Sequence, residues 1–258
     1  MCRHLGYLGP AAAVGDVLHH GGHSLIVQSW APNDMRCGAV ANADGFGAAW
    51  WPESGSVGDP SEPVAATSYR SAAPIWTDRT VDDVLTHTRS TAVLAAVRSA
   101  TVGMPVVATA SAPFVDGRWA FSHNGVVAGW PHSLAGLAAE VPVEDLLRLP
   151  AATDSAGLWM VVRHLLRDHD PVEVLRRVVT VLDESGPGSR LNLLLGDGTT
   201  LWGTAVHHSL STSVTDDDVW VASEPLDSDP HDGDRTWEPV PDRSLIVATA
   251  GSVTTHPL

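Results

Sequence analysis

The pattern of apolar and polar positions predicts strands towards both ends of the chain and helices in the middle. Short apolar runs bounded by Gly, Pro, Asn or Asp are typical of strands, and apolar residues spaced three and four apart are typical of helices. The predicted strands are 24–29, 45–51, 92–100 and 118–127, followed near the C-terminus by LNLLL, TLWGTAV, DVWVAS and SLIVATA. The predicted helices are a short one from Thr80, a longer one over 153–168 and another from Pro171.

This order of elements predicts an α+β fold. Strands before and after a central pair of helices fit sheets that are covered by helices. They do not fit the alternating units of a nucleotide-binding domain, and the sequence has no phosphate-loop glycine pattern. A chain of 258 residues can build one large core, so we expect a single domain over residues 1–258.

Composition narrows the choice of partners. The formal net charge is −15 and the sequence contains no lysine, which argues against nucleic acid or an anionic membrane as the partner. No apolar run approaches the roughly 18 residues of a membrane span, and the first residues lack the form of a signal peptide. We therefore expect a cytoplasmic protein.

The sequence predicts neither a metal site nor a cofactor. The two cysteines, Cys2 and Cys37, are not part of a CxxC or zinc-ligand pattern, and we expect Cys37 to be an ordinary buried thiol. The histidine-rich segment 19–23 lacks carboxylate or cysteine ligands at matching spacing, so we interpret it as a solvated loop. The acidic runs 216–218 and 227–234 are also expected to be solvated loops, as is the Pro- and Gly-rich stretch 52–63.

A cysteine at position 2 is a candidate nucleophile. Removal of Met1 would expose Cys2 as the terminal residue, because its side chain is small. The thiolate is the reactive form, and an α-amino group that titrates at about pH 8 can act as its base, directly or through one water. The alternative is that Cys2 is an incidental residue close to a frayed terminus.

Three further segments have both a structural and a functional interpretation. Arg98 ends a predicted buried strand and requires an anionic partner, either an Asp or Glu in a salt bridge or a substrate carboxylate that Thr101 also contacts. The dipeptide Asn124-Gly125 is typical of a hairpin turn, but an Asn amide and a Gly N–H can also stabilise an oxyanion. Asp154 lies where a helix begins, so its carboxylate can cap the helix or bind an ammonium group.

Taken together, these segments resemble the class II glutamine amidotransferases, which are N-terminal nucleophile (Ntn) hydrolases. Each motif alone is weak, but their order and spacing cover almost the whole chain. The resemblance implies a four-layer αββα sandwich of two mainly antiparallel sheets covered by helices. The matching segments are Met1-Cys2, 42–47 (NADGFG), 98–101 (RSAT), 123–125 (HNG), 153–155 (TDS) and 223–225 (SEP).

The resemblance also implies a chemistry in which Cys2 attacks a γ-glutamyl carbonyl. The Cys2 amine would be the base, and Asn124 and Gly125 would form the oxyanion hole. The product of the attack is a glutamyl thioester, which water hydrolyses to glutamate. Because this mechanism requires no further base, we interpret His123 as structural.

Three more roles follow from the same resemblance. Arg98 and Thr101 would hold the glutamyl α-carboxylate, and Asp154 would hold the α-ammonium. One position departs from the family pattern, since many amidotransferases have a histidine where this chain has Val102. The lining of the glutamyl pocket is therefore expected to differ at that point.

The sequence leaves three functions open. The chain ends at Leu258 without a synthase domain to receive ammonia. It is expected to be a free-standing γ-glutamyl amidohydrolase with no obligatory synthase subunit. The alternatives are a glutaminase subunit that supplies a separate synthase, and a non-catalytic protein that binds a γ-glutamyl compound or an amino acid.

A second set of segments resembles one sub-group, the amidohydrolases of ergothioneine biosynthesis. The resemblance implies removal of the γ-glutamyl group from γ-glutamyl hercynylcysteine S-oxide, with release of hercynylcysteine S-oxide and glutamate. The segments are His23-Ser24-Leu25, 28–32 (QSWAP), 42–47 and 74–76 (PIW).

The leaving half of that substrate carries a trimethylammonium group, which aromatic faces recognise, Trp best. The chain has ten Trp but only three Phe and two Tyr. Trp30, Trp50, Trp51 and Trp76 lie within or beside the segments that carry the sub-group resemblance. We hypothesise that at least one of them faces the betaine, although packing is the commoner role for any single Trp.

Overall fold

Two antiparallel sheets form the framework of the computed structural model, which describes residues 2–34, 41–52, 64–227 and 235–258. The strands are β1 Arg3–Ala13, β2 Phe46–Trp50, β3 Thr67–Ser71, β4 Arg89–Val97, β5 Phe114–Asp116, β6 Trp119–Val126, β7 Arg190–Gly196, β8 Leu201–Ala205, β9 Ser211–Val214, β10 Val219–Ala222, β11 Glu238–Pro239, β12 Ser244–Thr249 and β13 Ser252–Pro257. The helices are α1 Val14–His19, α2 Leu25–Trp30, α3 Thr80–Asp83, α4 Ala135–Ala138, α5 Val143–Leu146, α6 Asp154–Leu165 and α7 Pro171–Ser185.

The strand order places the chain start in the middle of one sheet. Sheet A has seven strands in the order β11-β9-β10-β1-β4-β2-β3, and sheet B has six in the order β13-β12-β8-β7-β6-β5. All neighbouring pairs are antiparallel. Because β1 lies between β10 and β4, the residues that follow Cys2 are held on both sides.

Alternation along the strands builds three apolar layers. Leu5 of β1 points to the outer face of sheet A and packs in a cluster with α1 and α2. Leu8 points the other way, into the core between the two sheets. Phe121 of β6 points to the outer face of sheet B, where α6 and α7 cover it. The predicted αββα sandwich is therefore confirmed.

The predicted strand 24–29 is wrong, because this segment forms helix α2. The Ser24 hydroxyl accepts the N–H of Val27 at 3.3 Å and caps the helix. The polar residues Gln28 and Ser29 are as buried as Leu25, so no polar stripe marks one face. A short apolar run without such a stripe does not distinguish a helix from a strand.

The histidine-rich segment 19–23 is only partly solvated, because His19, Gly21 and Gly22 are exposed whereas His20 and His23 pack against the protein. His20 stacks on Trp220, with ring centroids 4.2 Å apart. The ring of His23 is buried and lies 2.7 Å from a Glu224 carboxylate oxygen. The segment is therefore anchored to the protein, and each of these two histidines has its own partner.

The acidic run 216–218 is only partly solvated. Asp218 is 8% exposed and forms an ion pair with Arg235, so its side chain is a structural one. Cys37, residues 228–234 and most of the predicted loop 52–63 lie outside the described residues. No helix in the described ranges has both the length and the apolar character that a bilayer crossing requires.

The other predicted elements are confirmed with shifted boundaries. The strand predicted over 92–100 is β4, Arg89–Val97, and the strand over 118–127 is β6, Trp119–Val126. The helix predicted over 153–168 is α6, Asp154–Leu165. The shift of β4 leaves Arg98 just beyond the strand end.

Candidate active site

The core between the sheets becomes polar at one end. Even-numbered residues near the start of β1 face sheet B, and His4 meets Ser122 of β6, with Nδ1 and Oγ 3.3 Å apart. Asn124 follows two residues later on the same face of β6, and its amide reaches Ser223 at 3.1 Å. Cys2 lies at this end too, since β1 begins at Arg3. The fold therefore places the candidate nucleophile and Asn124 at one end of the sandwich.

Cys2 is half-buried and its thiol is free. Its Sγ lies 3.8 Å from the carbonyl oxygen of Ser99, in the loop that follows β4. The Cys2 carbonyl accepts a hydrogen bond from Nη1 of Arg3 at 3.0 Å. The Cys2 side chain thus lies against the loop after β4, and its carbonyl is bound by the side chain of the next residue.

A buried ion pair supports this start of the chain. Arg3 and Glu224 are 1% and 3% exposed, and Nε of Arg3 donates to Glu224 at 2.7 Å. Burial alone would raise the pKa of Glu224. The hydrogen bond from His23, the charge of Arg3 and the N–H groups of Asn33 and Asp34 outweigh it and lower that pKa to about 2. Glu224 is therefore ionised near neutrality and binds three separate segments together.

Asn124 and Gly125 lie inside β6, so the hairpin-turn alternative is wrong. A Cβ at Gly125 would come within 1.8 Å of the Arg190 carbonyl oxygen on the neighbouring strand, so only glycine fits there. The paired part of β5 ends opposite Phe121. From Ser122 onward, no described strand pairs with β6 on the side of β5. This side of β6 therefore leaves room for a substrate, which an oxyanion site requires.

Arg98 is buried without an acidic partner among the described residues. Its Nη1 donates to the carbonyl oxygens of Pro105 at 2.9 Å and Asp44 at 3.5 Å. The salt-bridge alternative is therefore wrong for the described part of the chain, and the guanidinium keeps donors for a further anion. Thr101 is exposed in the adjoining loop, where its carbonyl accepts the N–H of Met104.

Asp154 is the first residue of α6, but Thr153 is the residue that caps the helix, since its hydroxyl accepts the Ala156 N–H at 3.2 Å. The Asp154 carboxylate accepts N–H groups instead, from Val127 at 2.9 Å and Ser155 at 2.8 Å. It is 8% exposed and has no cationic partner among the described side chains. Its negative charge is oriented and available to a ligand.

Neither buried histidine near this site is a suitable base at neutral pH. Burial lowers the pKa of His4 to about 3, together with the nearby charges of His123 and Arg3. Burial also lowers the pKa of His123, which points away from the space between the sheets. The His123 ring lies 3.0 Å from the Ser155 hydroxyl and 2.9 Å from the Arg190 carbonyl.

The four candidate tryptophans fall into two groups. Phe46 of β2 pairs with β4 at the Cys2 end of the sheet. Trp50 lies four residues further along β2, so its Cα is about 13 Å from that of Phe46. Trp51 is 4% exposed and packs between the sheets, so its ring is not open to a ligand. Trp30 and Trp76 are 46% and 43% exposed and contact each other edge to face at 5.7 Å.

The exposed pair lies towards the Cys2 end of sheet A. Strand β3 ends at Ser71, which pairs with Phe46, and Trp76 follows five residues later. Trp30 ends helix α2, and the chain continues to the Asn33 N–H, which donates to Glu224. Both exposed tryptophans are thus close in sequence to segments at the Cys2 end of sheet A.

Several residues that build the site were not assigned a role from the sequence. Asp44 accepts the Ala100 N–H at 2.7 Å and so fixes the loop between Arg98 and Thr101. Ser223 and Glu224 hold Asn124 and Arg3, respectively. Asp44, Ser223 and Glu224 lie in motifs that the sequence did reveal, whereas their partners became apparent only in the folded chain.

The fold and the site define a class of protein, and the comparisons agree. The sequence model of the class-II glutamine amidotransferases matches residues 22–216. This chain therefore belongs to the class-II glutamine amidotransferase family.

Particular relatives share nearly the full length of the chain. It is 36% identical over 258 residues to the gamma-glutamyl-hercynylcysteine sulfoxide hydrolase of Mycolicibacterium smegmatis, with all of both chains covered. It is 38% identical over 256 residues to the protein of the same name from Mycobacterium tuberculosis, with 98% of this chain and 95% of the relative covered. A glutamine aminotransferase class-II domain protein from Silicibacter pomeroyi has the same fold, with a TM-score of 0.66, 21% identity, and 99% and 98% of the two chains covered.

Proposed function

We propose that this chain hydrolyses the γ-glutamyl amide of γ-glutamyl hercynylcysteine S-oxide to glutamate and hercynylcysteine S-oxide. The observation that carries the proposal is the pair of buried opposite charges, Arg98 and Asp154, each without a described counter-charge. A glutamyl group presents an α-carboxylate and an α-ammonium, which complement these two side chains. The identity of 36% with a hydrolase of this substrate, over the whole length of both chains, supports the choice of leaving group.

Cys2 is the nucleophile in this proposal. After removal of Met1, the Cys2 α-amine accepts the thiol proton, directly or through a water, and Sγ attacks the γ-carbonyl carbon. The Asn124 amide and the Gly125 N–H stabilise the oxyanion. The tetrahedral intermediate collapses when the leaving amine takes the proton, which yields a glutamyl thioester and free hercynylcysteine S-oxide. Water then attacks the thioester, and glutamate leaves as Cys2 recovers its proton.

The choice of the α-amine as base rests on the surrounding histidines. His4 is the titratable ring next in sequence to the nucleophile, but a pKa of about 3 makes it a poor proton acceptor near neutrality. His123 faces the helix layer, where Ser155 and Arg190 occupy its ring nitrogens. An α-amine titrates at about pH 8, so a substantial fraction of it is unprotonated near neutrality and can accept a proton.

The exposed pair Trp30 and Trp76 is proposed to contact the trimethylammonium group of the leaving half. A quaternary ammonium binds to aromatic faces, and an edge-to-face pair presents two of them. Thr101 is proposed to support Arg98 at the α-carboxylate. Trp50 and Trp51 are not part of this proposal, because of their distance along β2 and their packing, respectively.

Two assays test the function. Intact mass measured before and after treatment with a diazo-ketone analogue of glutamine should show loss of Met1 and one adduct on Cys2, which Cys2→Ala lacks. Product analysis should show glutamate released from the sulfoxide substrate by the purified chain alone. Retained Met1 without an adduct would overturn the mechanism and favour the binding protein. Turnover of glutamine only after addition of a synthase subunit would favour the glutaminase alternative.

A further inference from the structure

The hydroxyl of Ser223 uses all of its hydrogen-bonding capacity on two strands of different sheets. It donates to the His4 carbonyl at 3.3 Å and accepts from the His4 N–H at 3.0 Å. It also accepts from Nδ2 of Asn124 at 3.1 Å. A serine hydroxyl has one donor and two acceptor positions, so these three contacts saturate it.

The NH2 end of the Asn124 amide faces Ser223, with Nδ2 3.1 Å from the hydroxyl oxygen. This orientation is compatible with the hydroxyl hydrogen, which has the His4 carbonyl as its acceptor. One of the two amide hydrogens is used there, and the second remains for another acceptor. An oxyanion hole requires that free donor in a fixed direction.

Glu224 supports Cys2 through Arg3, as Ser223 supports Asn124 directly. Ser223 points between the sheets, whereas Glu224 binds Arg3, whose Nη1 donates to the Cys2 carbonyl. The strand that follows Cys2 and the strand that carries Asn124 are thus tied to two consecutive residues directly after β10.

We propose that Ser223 is a positioning residue of the hydrolysis, which orients the Asn124 amide towards the oxyanion and holds it in register with the nucleophile strand. The inference rests on the proposed function, because it assumes that Asn124 stabilises the oxyanion. A serine that served the fold alone would affect stability and leave turnover by the folded protein unchanged.

The test is a double-mutant cycle on the full-length protein, with the variants Ser223→Ala, Asn124→Ala and both together. Loss of an oxyanion donor lowers kcat by about 100- to 1,000-fold, so we expect that loss for Asn124→Ala. For Ser223→Ala we expect a loss of kcat of about tenfold or more with KM changed less than about twofold, because the amide would be misdirected but present. In the Asn124→Ala background, the further loss on removing the Ser223 hydroxyl should disappear.

Ser213→Ala is the matched control. Ser213 is 1% exposed in β9, the strand next to β10, and its hydroxyl has no partner among the described residues. We expect its kcat and KM to equal those of the unmodified protein. Thermal unfolding of every variant identifies the folded fraction, so that turnover is compared per folded molecule.

Each outcome has a separate meaning. An unchanged kcat in Ser223→Ala, or losses that simply add in the double variant, would overturn the positioning role while the proposed function stands. An unchanged kcat in Asn124→Ala would instead remove the oxyanion assignment on which the inference rests. If Ser223→Ala does not fold, Ser223→Cys keeps a short side chain with a weaker acceptor, and the same cycle applies to it.

Discussion

The carboxylate of Asp154 accepts the backbone N–H of Val127 at 2.9 Å, which joins the start of helix α6 to the end of the strand that carries Asn124 and Gly125. Its other oxygen accepts the N–H of Ser155. Both oxygens are therefore held in place before any ligand binds. A carboxylate that is already oriented loses little conformational freedom when it accepts an ammonium group.

We expect Asp154→Asn to raise KM for the γ-glutamyl substrate by about tenfold to a hundredfold, because a hydrogen bond to a charged group contributes about 1.5–3 kcal/mol. The kcat should fall much less, since the ammonium is remote from the reacting carbonyl. Steady-state kinetics provide the measurement. Asp170→Asn is the control, because Asp170 is also a carboxylate at the start of a helix but is exposed and caps α7. Equal effects of the two variants would contradict the role of Asp154.

Arg98→Lys should also raise KM by about tenfold or more, because a lysine cannot make the two parallel hydrogen bonds that an arginine makes with a carboxylate. Kinetics with the sulfoxide and with γ-glutamyl anilide should show the same increase, since both substrates share the glutamyl half. Arg70→Lys is the control, as Nη1 of Arg70 likewise approaches backbone carbonyls, those of Thr109 and Ser111. An effect limited to one substrate would place Arg98 at the leaving group instead.

Because Glu224 is ionised in the folded protein, the free energy of unfolding should fall at acidic pH. Its pKa falls from an ordinary 4.5 to about 2, so its contribution is fully present above pH 4.5 and is lost as the pH falls towards 2. Glu224→Gln should lose about 3 kcal/mol of stability at pH 7, because the buried guanidinium of Arg3 would lose the carboxylate that it binds. The difference in stability between Glu224→Gln and the unmodified protein should shrink as the pH falls from 4.5 to 2.

Urea unfolding at a series of pH values measures this difference. Glu238→Gln is the control, because Glu238 is exposed in β11 and should show no such pH dependence. A difference between the Glu224 variant and the unmodified protein that stays constant down to pH 2 would show that the charge of Glu224 does not stabilise the fold.

The exposed aromatic pair should distinguish the two halves of the substrate. Trp30→Ala and Trp76→Ala should raise KM for the sulfoxide by about fivefold to thirtyfold, in line with about 1–2 kcal/mol for a cation–aromatic contact. KM for γ-glutamyl anilide, which has no quaternary ammonium, should change little. Trp119→Ala is the control, since Trp119 pairs with Trp202 at the start of β6, away from Asn124. Parallel losses on both substrates would exclude the betaine contact.

Much of the fold could be predicted from sequence because its strands and long helices have distinct apolar periods. The helix α7 is an example, with Val174, Leu175, Val178 and Leu182 buried on one side and polar residues on the other. The helix α2 could not be recognised in this way. Its polar residue Gln28 is buried because its amide donates to two backbone carbonyls. One belongs to His23, just before the helix, and the other to Glu224, which is far away in sequence.

A candidate role in the site could be predicted from sequence only where that role requires one particular residue type. The candidate nucleophile Cys2 and the close-packed Gly125 belong to this group. The partners of Arg98 could not be predicted, because Pro105 and Asp44 accept through backbone carbonyls that any residue would supply. The link from Glu224 to Arg3 spans 221 positions of the chain, and no local pattern indicates a contact of that range.

The adjacency of Ser223 and Glu224 also bears on how this family can change in length. A one-residue insertion or deletion in β10 would exchange the two faces of the chain. It would bring a carboxylate to the Asn124 amide and a hydroxyl to the guanidinium of Arg3. Insertions and deletions in the lineage should therefore accumulate in the surface turns and be absent between Val219 and Glu224, however far the overall identity drifts.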